Sequence, residues 1–214
     1  MIFKHRQNDS TLWNKETAVE FDVRLHEDRT VILSHDPIGY DIDLDFTGSI
    51  GDVVYDRAEL PKMSIVNVKT SGAEEYVAGL FNEVGYGRFY FLDSQIPDIL
   101  RLSKEPEFKG RFIIRVSDVE SYNEEFMKRV QPKYIWADWS QFDNFDPIQY
   151  DHFINTLTRQ ISDDQELIIV SPELYNIDYE NLIPTIAEII TRHGHSSACT
   201  KNETQWEALL AKSK

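Results

Sequence analysis

The feature that most constrains the fold is a series of short apolar runs, each of strand length and rich in β-branched or aromatic residues. The eight runs are MIFKH (1–5), AVEFDV (18–23), IVNVK (65–69), RFYFLD (88–93), RFIIRV (111–116), YIWADW (134–139), ELIIVS (166–171) and SSACT (196–200). From the third run onward, segments with helical periodicity separate the runs, which predicts parallel strands because parallel neighbours need a crossover connection. The helical segments are predicted at 73–84, 95–103, 121–130, 147–161, 179–192 and 204–213.

Eight strands in 214 residues predict an α/β chain that folds as one compact (β/α)8 TIM barrel over 1–214. A doubly wound open sheet is the alternative. Residues 6–17 alone join the first two runs, so the first helix is expected to be reduced or absent. VILSHD (31–36) follows the turn HEDR and is predicted to extend the second strand as a β-hairpin. Residues 38–62 form a long acidic connection of a kind that is often functional or mobile.

Charge and composition narrow the classes of partner. The formal charge of −15 disfavours nucleic acid and anionic membranes as partners of the bulk surface, although a local site can still accept an anion. The single cysteine, Cys199, leaves no internal disulfide and no zinc cluster. No apolar run approaches the roughly 18–20 residues that span a bilayer, and MIFKHRQ lacks a signal-peptide core. We therefore expect a cytoplasmic protein without a membrane span, and a homo-oligomer is left open.

Two carboxylates on the second run are candidates for a metal site. Glu20 and Asp22 share one face of the predicted strand, and the apolar residues between them face the other way. At the C-terminal mouth of a barrel the two carboxylates would repel each other and lose hydration, and a divalent cation would resolve both problems. The alternative is a salt-bridged pair with Lys69 or Arg115 as the partner.

Later strand ends add further polar side chains. Asn67 and Lys69 share a face of the third run, where an amide oxygen suits a hard cation and an ammonium suits a phosphate or carboxylate. Asp93, Arg115 and Glu173 lie at or just after the ends of later runs, which predicts a polar pocket.

Two histidines also end apolar runs. The pKa of His5 and of His35 would suit general acid or base work near neutrality. A structural histidine is the alternative for each of them.

Taken together, KHR (4–6), EFD (20–22) and SHD (34–36) resemble the glycerophosphodiester phosphodiesterase family, which shares a TIM-barrel superfamily with phosphatidylinositol-specific phospholipase C. Weaker similarity continues through NVK, VSPEL and CTKNETQWEALL, so it spans the whole chain. The resemblance implies a metal-dependent phosphoric diester hydrolase of lipid metabolism, in which His5 and His35 are the acid/base pair. It further implies that Glu20 and Asp22 bind Mg²⁺ or Ca²⁺.

The resemblance also implies substrate contacts. Arg6 would contact the phosphate of a small phosphodiester, and Lys69 would lie beside the phosphate or the attacking hydroxyl. Arg115 and Glu173 complete the set of expected substrate-binding residues.

The sequence departs from the family at several positions, as a short divergent branch would. Asn67 stands where the family usually has a third carboxylate ligand, and this neutral ligand should weaken metal affinity unless Asp93 substitutes. The expected metal ligands are therefore Glu20, Asp22, Asn67 and Asp93. Gln7 replaces a glycine, and the segment between the first two motifs is cut down. Asn67 leaves open a catalytically altered or inactive barrel that binds a phosphorylated ligand. An unrelated TIM-barrel lyase or aldolase that uses Lys69 as a Schiff base is a further alternative.

Overall fold

The computed structural model describes residues 1–26, 28–37, 48–56 and 59–212. Backbone contacts divide the chain into two compact units, one formed by residues 4–112 and one by residues 1–3 with 113–214. That these units act as one domain, as the chain length suggests, stays a prediction. No helix in the described ranges is both long enough and apolar enough to cross a membrane.

The described residues form nine strands and seven helices. The strands are β1 (Ile2–Lys4), β2 (Ala18–Leu25), β3 (Val31–Leu33), β4 (Met63–Val68), β5 (Phe89–Leu92), β6 (Ile114–Val116), β7 (Tyr134–Ala137), β8 (Glu166–Val170) and β9 (Ser197–Thr200). The helices are α1 (Ile50–Asp56), α2 (Ala73–Glu83), α3 (Ile96–Leu102), α4 (Glu124–Val130), α5 (Pro147–Gln160), α6 (Ile183–Arg192) and α7 (Glu203–Ala211).

The strands are hydrogen-bonded in the order β5-β4-β2-β1-β9-β8-β7-β6, and β3 pairs with β2 outside this path. Parallel strands in this order, alternating with helices, give an α/β fold of the TIM-barrel type. The predicted fold class is thereby confirmed. The eight predicted runs all contain strands, and the weakest of them, SSACT, contains β9.

In the unit formed by residues 4–112, β2 is the central strand. It pairs in parallel with β4, which pairs in parallel with β5. It also pairs antiparallel with β3, with Val23 opposite Leu33, which confirms the predicted hairpin. Within residues 5–17, which are all described, the helical structure is a 3-10 turn at Ser10–Leu12, so the first helix is reduced as predicted.

Residues 38–62 are predicted to form a connection without regular structure, and this prediction is wrong for Ile50–Asp56. Helix α1 occupies seven residues of it and buries Ile50, Val53 and Val54. Its apolar residues recur at the three- and four-residue spacing of one helix face, but the run is too short to stand out in the sequence. Residues 38–47, 57 and 58 lie outside the described residues.

The unit that contains residues 113–214 has the parallel order β6-β7-β8-β9. Two of its helices begin later than predicted. Helix α4 starts at Glu124 because the Asn123 side chain caps it by accepting the Phe126 N–H. Helix α6 starts at Ile183 because the preceding residues 177–182 form a 3-10 turn. It ends before Gly194, whose φ of +85° is the left-handed conformation that follows many helices.

Candidate active site

The candidate site begins on β2, where strand alternation places two acidic side chains on the same face. Glu20 and Asp22 are 1% and 2% exposed, so both carboxylates are removed from bulk water. The parallel register sets Asp22 opposite Asn67 of β4. Asn67 donates from Nδ2 to Glu20 Oε1 at 3.0 Å, which joins the two strands through their side chains.

The chain after β1 supplies further partners of Glu20. The Arg6 N–H donates to Glu20 Oε2 at 2.7 Å, and the Gln7 N–H donates to the Glu20 carbonyl. Arg6 has a φ of +53°, a left-handed conformation that is uncommon for a residue other than glycine. His5 Nε2 lies 3.8 Å from Glu20 Oε2, so the first histidine of the predicted pair is beside this carboxylate.

Burial sets the protonation of Glu20. Removal from water, and next the negative charge of Asp22, raise the pKa of Glu20 from its ordinary 4.5 to about 7. Hydrogen bonds from the Arg6 N–H and Asn67, and the positive charge of Lys69, act in the opposite direction. Glu20 is therefore a carboxyl group that exchanges a proton near neutral pH unless a cation compensates its charge.

Asp22 is held by two side chains. Asn8 donates from Nδ2 to Asp22 Oδ2 at 3.1 Å and accepts the Asp22 N–H at 2.8 Å, so it clamps both the carboxylate and the backbone. The Lys69 ammonium lies 3.3 Å from Asp22 Oδ1 and 4.0 Å from Asp93 Oδ2. The salt bridge between Lys69 and the acidic pair, one of the two sequence-based alternatives, is thus present.

His35 reaches the same unit through the hairpin. Its Nδ1 lies 2.9 Å from Asp36 Oδ1, and its carbonyl accepts two hydrogen bonds from the Arg24 guanidinium. Asp36 Oδ2 is 3.7 Å from Arg6 Nη2, so the segments after β1 and β3 meet through this ion pair. The hydrogen bond from His35, with the positive charges of Arg6 and Arg24, holds the pKa of Asp36 below its usual value.

The oxygen atoms of this cluster are of the chemical type that binds a divalent cation. Among the described residues no group of three or more His, Cys, Asp or Glu side chains could hold a metal ion, so a site here needs a neutral third ligand. Asn67 offers one: it is 8% exposed, and within the described ranges its Oδ1 has no hydrogen-bond partner. Two carboxylates and an amide oxygen are the hard ligands that Mg²⁺ and Ca²⁺ prefer. Asp93, the remaining residue that the sequence predicts as a metal ligand, contacts Lys69 in the described part of the chain.

Two predicted substrate-binding residues belong to the unit that contains residues 113–214. Arg115 donates from Nη1 to Asp138, whose other oxygen accepts the Tyr175 hydroxyl at 2.6 Å. Glu173 is 4% exposed and accepts hydrogen bonds from the Thr200 hydroxyl and, at 3.1 Å, from the Lys201 N–H. Arg115, 31% exposed at its side chain, thus has a buried carboxylate as its anchor, whereas Glu173 is buried among donors of its own unit.

Sequence reasoning missed several participants. Asn8 gave no signal, because it lies in an irregular stretch and contacts Asp22 across 14 residues of sequence. Asp36 did carry a signal, since a carboxylate next to a candidate catalytic histidine is a common orienting group.

Comparisons with known proteins support the fold. No family model matches the sequence, and no curated protein matches it significantly. A solved phosphodiesterase from Oleispira antarctica, in complex with its product sn-glycerol-3-phosphate, is similar in structure with a TM-score of 0.58. The match covers 99% of this chain and 96% of that chain at 10% sequence identity. The chain therefore shares the fold of a phosphodiesterase, the fold that the sequence motifs predict.

Proposed function

We propose that the chain is a metal-dependent phosphoric diester hydrolase that acts on a small phosphodiester such as a glycerophosphodiester. The observation that carries the proposal is the convergence of His5, Glu20, Asp22, Asn67 and Lys69 within one unit, on strands β2 and β4 and just after β1 and β4. The fold that the chain shares with a phosphodiesterase adds support.

The proposed division of labour follows from the chemistry of the side chains. Glu20, Asp22 and Asn67 would hold Mg²⁺ or Ca²⁺, which when bound would offset the charge that develops on the phosphate in the transition state. Arg6 and Lys69 would contact the phosphate oxygens as positive charges. The substrate-binding roles of Arg115 and Glu173, which belong to the other unit, stay predictions.

The two histidines would move the protons. When the imidazole of His35 carries a proton on Nδ1, Nδ1–H donates to the Asp36 carboxylate. His35 Nε2 would then accept or donate the transferred proton. His5 Nε2, beside Glu20, would perform the complementary transfer. One imidazole would accept the proton of the attacking water or hydroxyl, and the other would protonate the leaving oxygen.

A second candidate function follows from Lys69. Its ammonium already pairs with Asp22, and residue 67 is a neutral amide, so the acidic pair has an internal counter-ion. A chain that keeps this arrangement would bind a phosphorylated ligand without hydrolysing it. Calorimetry that shows phosphate-ester binding without turnover would favour this function over hydrolysis.

The test is release of the alcohol from a panel of glycerophosphodiesters in Mg²⁺, Ca²⁺ or EDTA. We expect turnover that EDTA abolishes and that His5→Ala and His35→Ala each lower by about 100-fold or more, the usual share of acid–base catalysis. His152→Ala is the matched control, because His152 is exposed on α5. Equal turnover in all three variants, or folded wild-type protein without metal-dependent turnover, would refute the proposal.

A further inference from the structure

The position of Lys69 bears on how a cation could enter the proposed site. Lys69 follows β4 directly, and its backbone N–H donates to the Val23 carbonyl, so the base of the side chain is fixed. Its ammonium lies between two carboxylates, 3.3 Å from Asp22 Oδ1 and 4.0 Å from Asp93 Oδ2. The nearer carboxylate is 2% exposed, whereas Asp93 is 28% exposed at its side chain. The ammonium thus links a buried carboxylate to a partly exposed one.

Asp22 cannot rotate freely to accommodate a second positive charge. Asn8 holds its Oδ2, and the oxygen that remains for a cation is Oδ1, the atom that Lys69 approaches. A divalent cation bound to Oδ1 at the usual distance of about 2.0–2.6 Å would stand against the ammonium, and two like charges in a buried site repel each other. Either the cation is excluded or Lys69 moves.

Asp93 provides a place for Lys69 to move to. It follows β5 directly, and its φ of +58° is a left-handed conformation uncommon for residues other than glycine. An approach of about 1 Å would bring the ammonium from 4.0 Å to the distance of about 2.9 Å typical of a charged hydrogen bond. The flexible four-carbon stem of lysine allows such a shift without backbone movement.

We propose that Lys69 is the resident counter-ion of Asp22 and that a divalent cation binds by displacing the Lys69 ammonium onto Asp93. Asp93 is then a positioning residue that receives Lys69, and not a ligand of the cation. The inference rests on the proposed function insofar as that function places a cation on Glu20 and Asp22. It implies an order of events, because Lys69 turns toward a phosphate only after the cation has taken its place on Asp22.

A double-mutant cycle on cation affinity tests the displacement. Mn²⁺, Mg²⁺ and Ca²⁺ are titrated by calorimetry, without substrate, into the wild type, Lys69→Met, Asp93→Asn and the double variant. We expect Lys69→Met to bind the cation about ten-fold more tightly and Asp93→Asn about ten-fold more weakly than the wild type, a coupling within the range seen for contacting pairs. We expect the double variant to match Lys69→Met within about two-fold, because Asp93 has no lysine left to receive.

The cycle separates the inference from simpler explanations. If Asp93 were a ligand of the cation, Asp93→Asn would weaken cation binding equally in the presence and absence of Lys69. That additive result would overturn the inference. Lys15→Met is the matched control, because Lys15 forms an exposed ion pair with Glu59 and should leave the affinity unchanged. Lys69→Gln repeats the test if Lys69→Met fails to fold.

Failure of the inference can be told from failure of the proposed function. Metal-dependent hydrolysis by the wild type, with no tighter cation binding in Lys69→Met or Lys69→Gln, would overturn the displacement and leave the hydrolase proposal intact. Cation binding by Lys69→Met alone, with none by the wild type, would support the displacement even without turnover. No binding by any of these proteins would overturn both the displacement and the metal dependence.

Discussion

The buried carboxyl of Glu20 should make the stability of the protein fall as the pH rises. Burial, and next the charge of Asp22, raise its pKa from 4.5 to about 7, so between these values the folded chain holds a proton that the unfolded chain has lost. By linkage, the stabilisation is fully present below pH 4.5 and is lost as the pH passes through about 7. The difference between the two pKa values corresponds to about 3 kcal/mol in the free energy of unfolding.

The variant that tests this is Glu20→Gln, because glutamine has the size of glutamate and cannot ionise. The free energy of unfolding is measured with denaturant in EDTA from pH 5 to pH 8 for the wild type and the variant. From pH 5 to pH 8 the free energy of unfolding of the wild type should fall by about 2–3 kcal/mol relative to that of the variant, because most of the total effect of about 3 kcal/mol lies within this pH range. Glu16→Gln, at an exposed position, is the control and should leave the wild-type slope unchanged.

The difference between the two proteins matters more than either curve, because other groups titrate in the same range and cancel in the comparison. Parallel curves for the wild type and Glu20→Gln would refute the argument that folding raises the pKa of Glu20. A wild type that gains stability relative to the variant as the pH rises would refute it more directly, since that result requires a lowered pKa.

Three further predictions concern neighbouring groups. Asp36→Asn should lower kcat about ten-fold or more at an unchanged melting temperature, because His35 loses the carboxylate that orients its Nδ1; unchanged kinetics would contradict the orienting role. Asn8→Ala should lower the free energy of unfolding by about 2–4 kcal/mol, because the buried N–H and one buried carboxylate oxygen of Asp22 lose their hydrogen-bond partner. A change of less than about 0.5 kcal/mol in a denaturant titration would contradict this prediction. Glu74→Gln should stabilise the protein by about 1 kcal/mol, because Glu74 is fully buried and one of its oxygens has no hydrogen-bond partner among the described residues; thermal unfolding at a lower temperature would count against this.

The sequence predicts the strand positions well because each strand is an apolar run whose length and composition are set locally. The same alternation that marks β2 as a strand also predicts that Glu20 and Asp22 share a face, and the register with β4 brings Asn67 to that face. Hairpin formation by β3 follows from the turn that precedes it. These features depend on period and spacing, which a sequence displays directly.

Other features depend on contacts between distant segments, and the sequence does not display them. Asn8 has no periodicity and becomes part of the site through its two hydrogen bonds to Asp22. The sequence pattern allows two interpretations of Glu20 and Asp22, a cation site and a salt bridge. The structure shows a salt bridge between Asp22 and Lys69. Helix α1 falls in a stretch whose acidic composition suggested a connection, yet tertiary contacts with α2 cover its apolar face.

The charges around Lys69 would make a neutral residue at position 67 compatible with the proposed cation site. Glu20, Asp22 and Asp93 carry three negative charges when ionised, and Lys69 carries one positive charge, so the four side chains sum to −2, which one divalent cation neutralises. A carboxylate at position 67 would leave the loaded site with a further negative charge, close to where an anionic phosphodiester would bind. Because Glu20 holds a proton up to about pH 7, that proton competes with the cation, and cation affinity should rise as the pH increases from 6 to 8. Calorimetric titrations at these two pH values should differ in affinity by about ten-fold, and equal affinities would show that Glu20 takes no part in binding the cation.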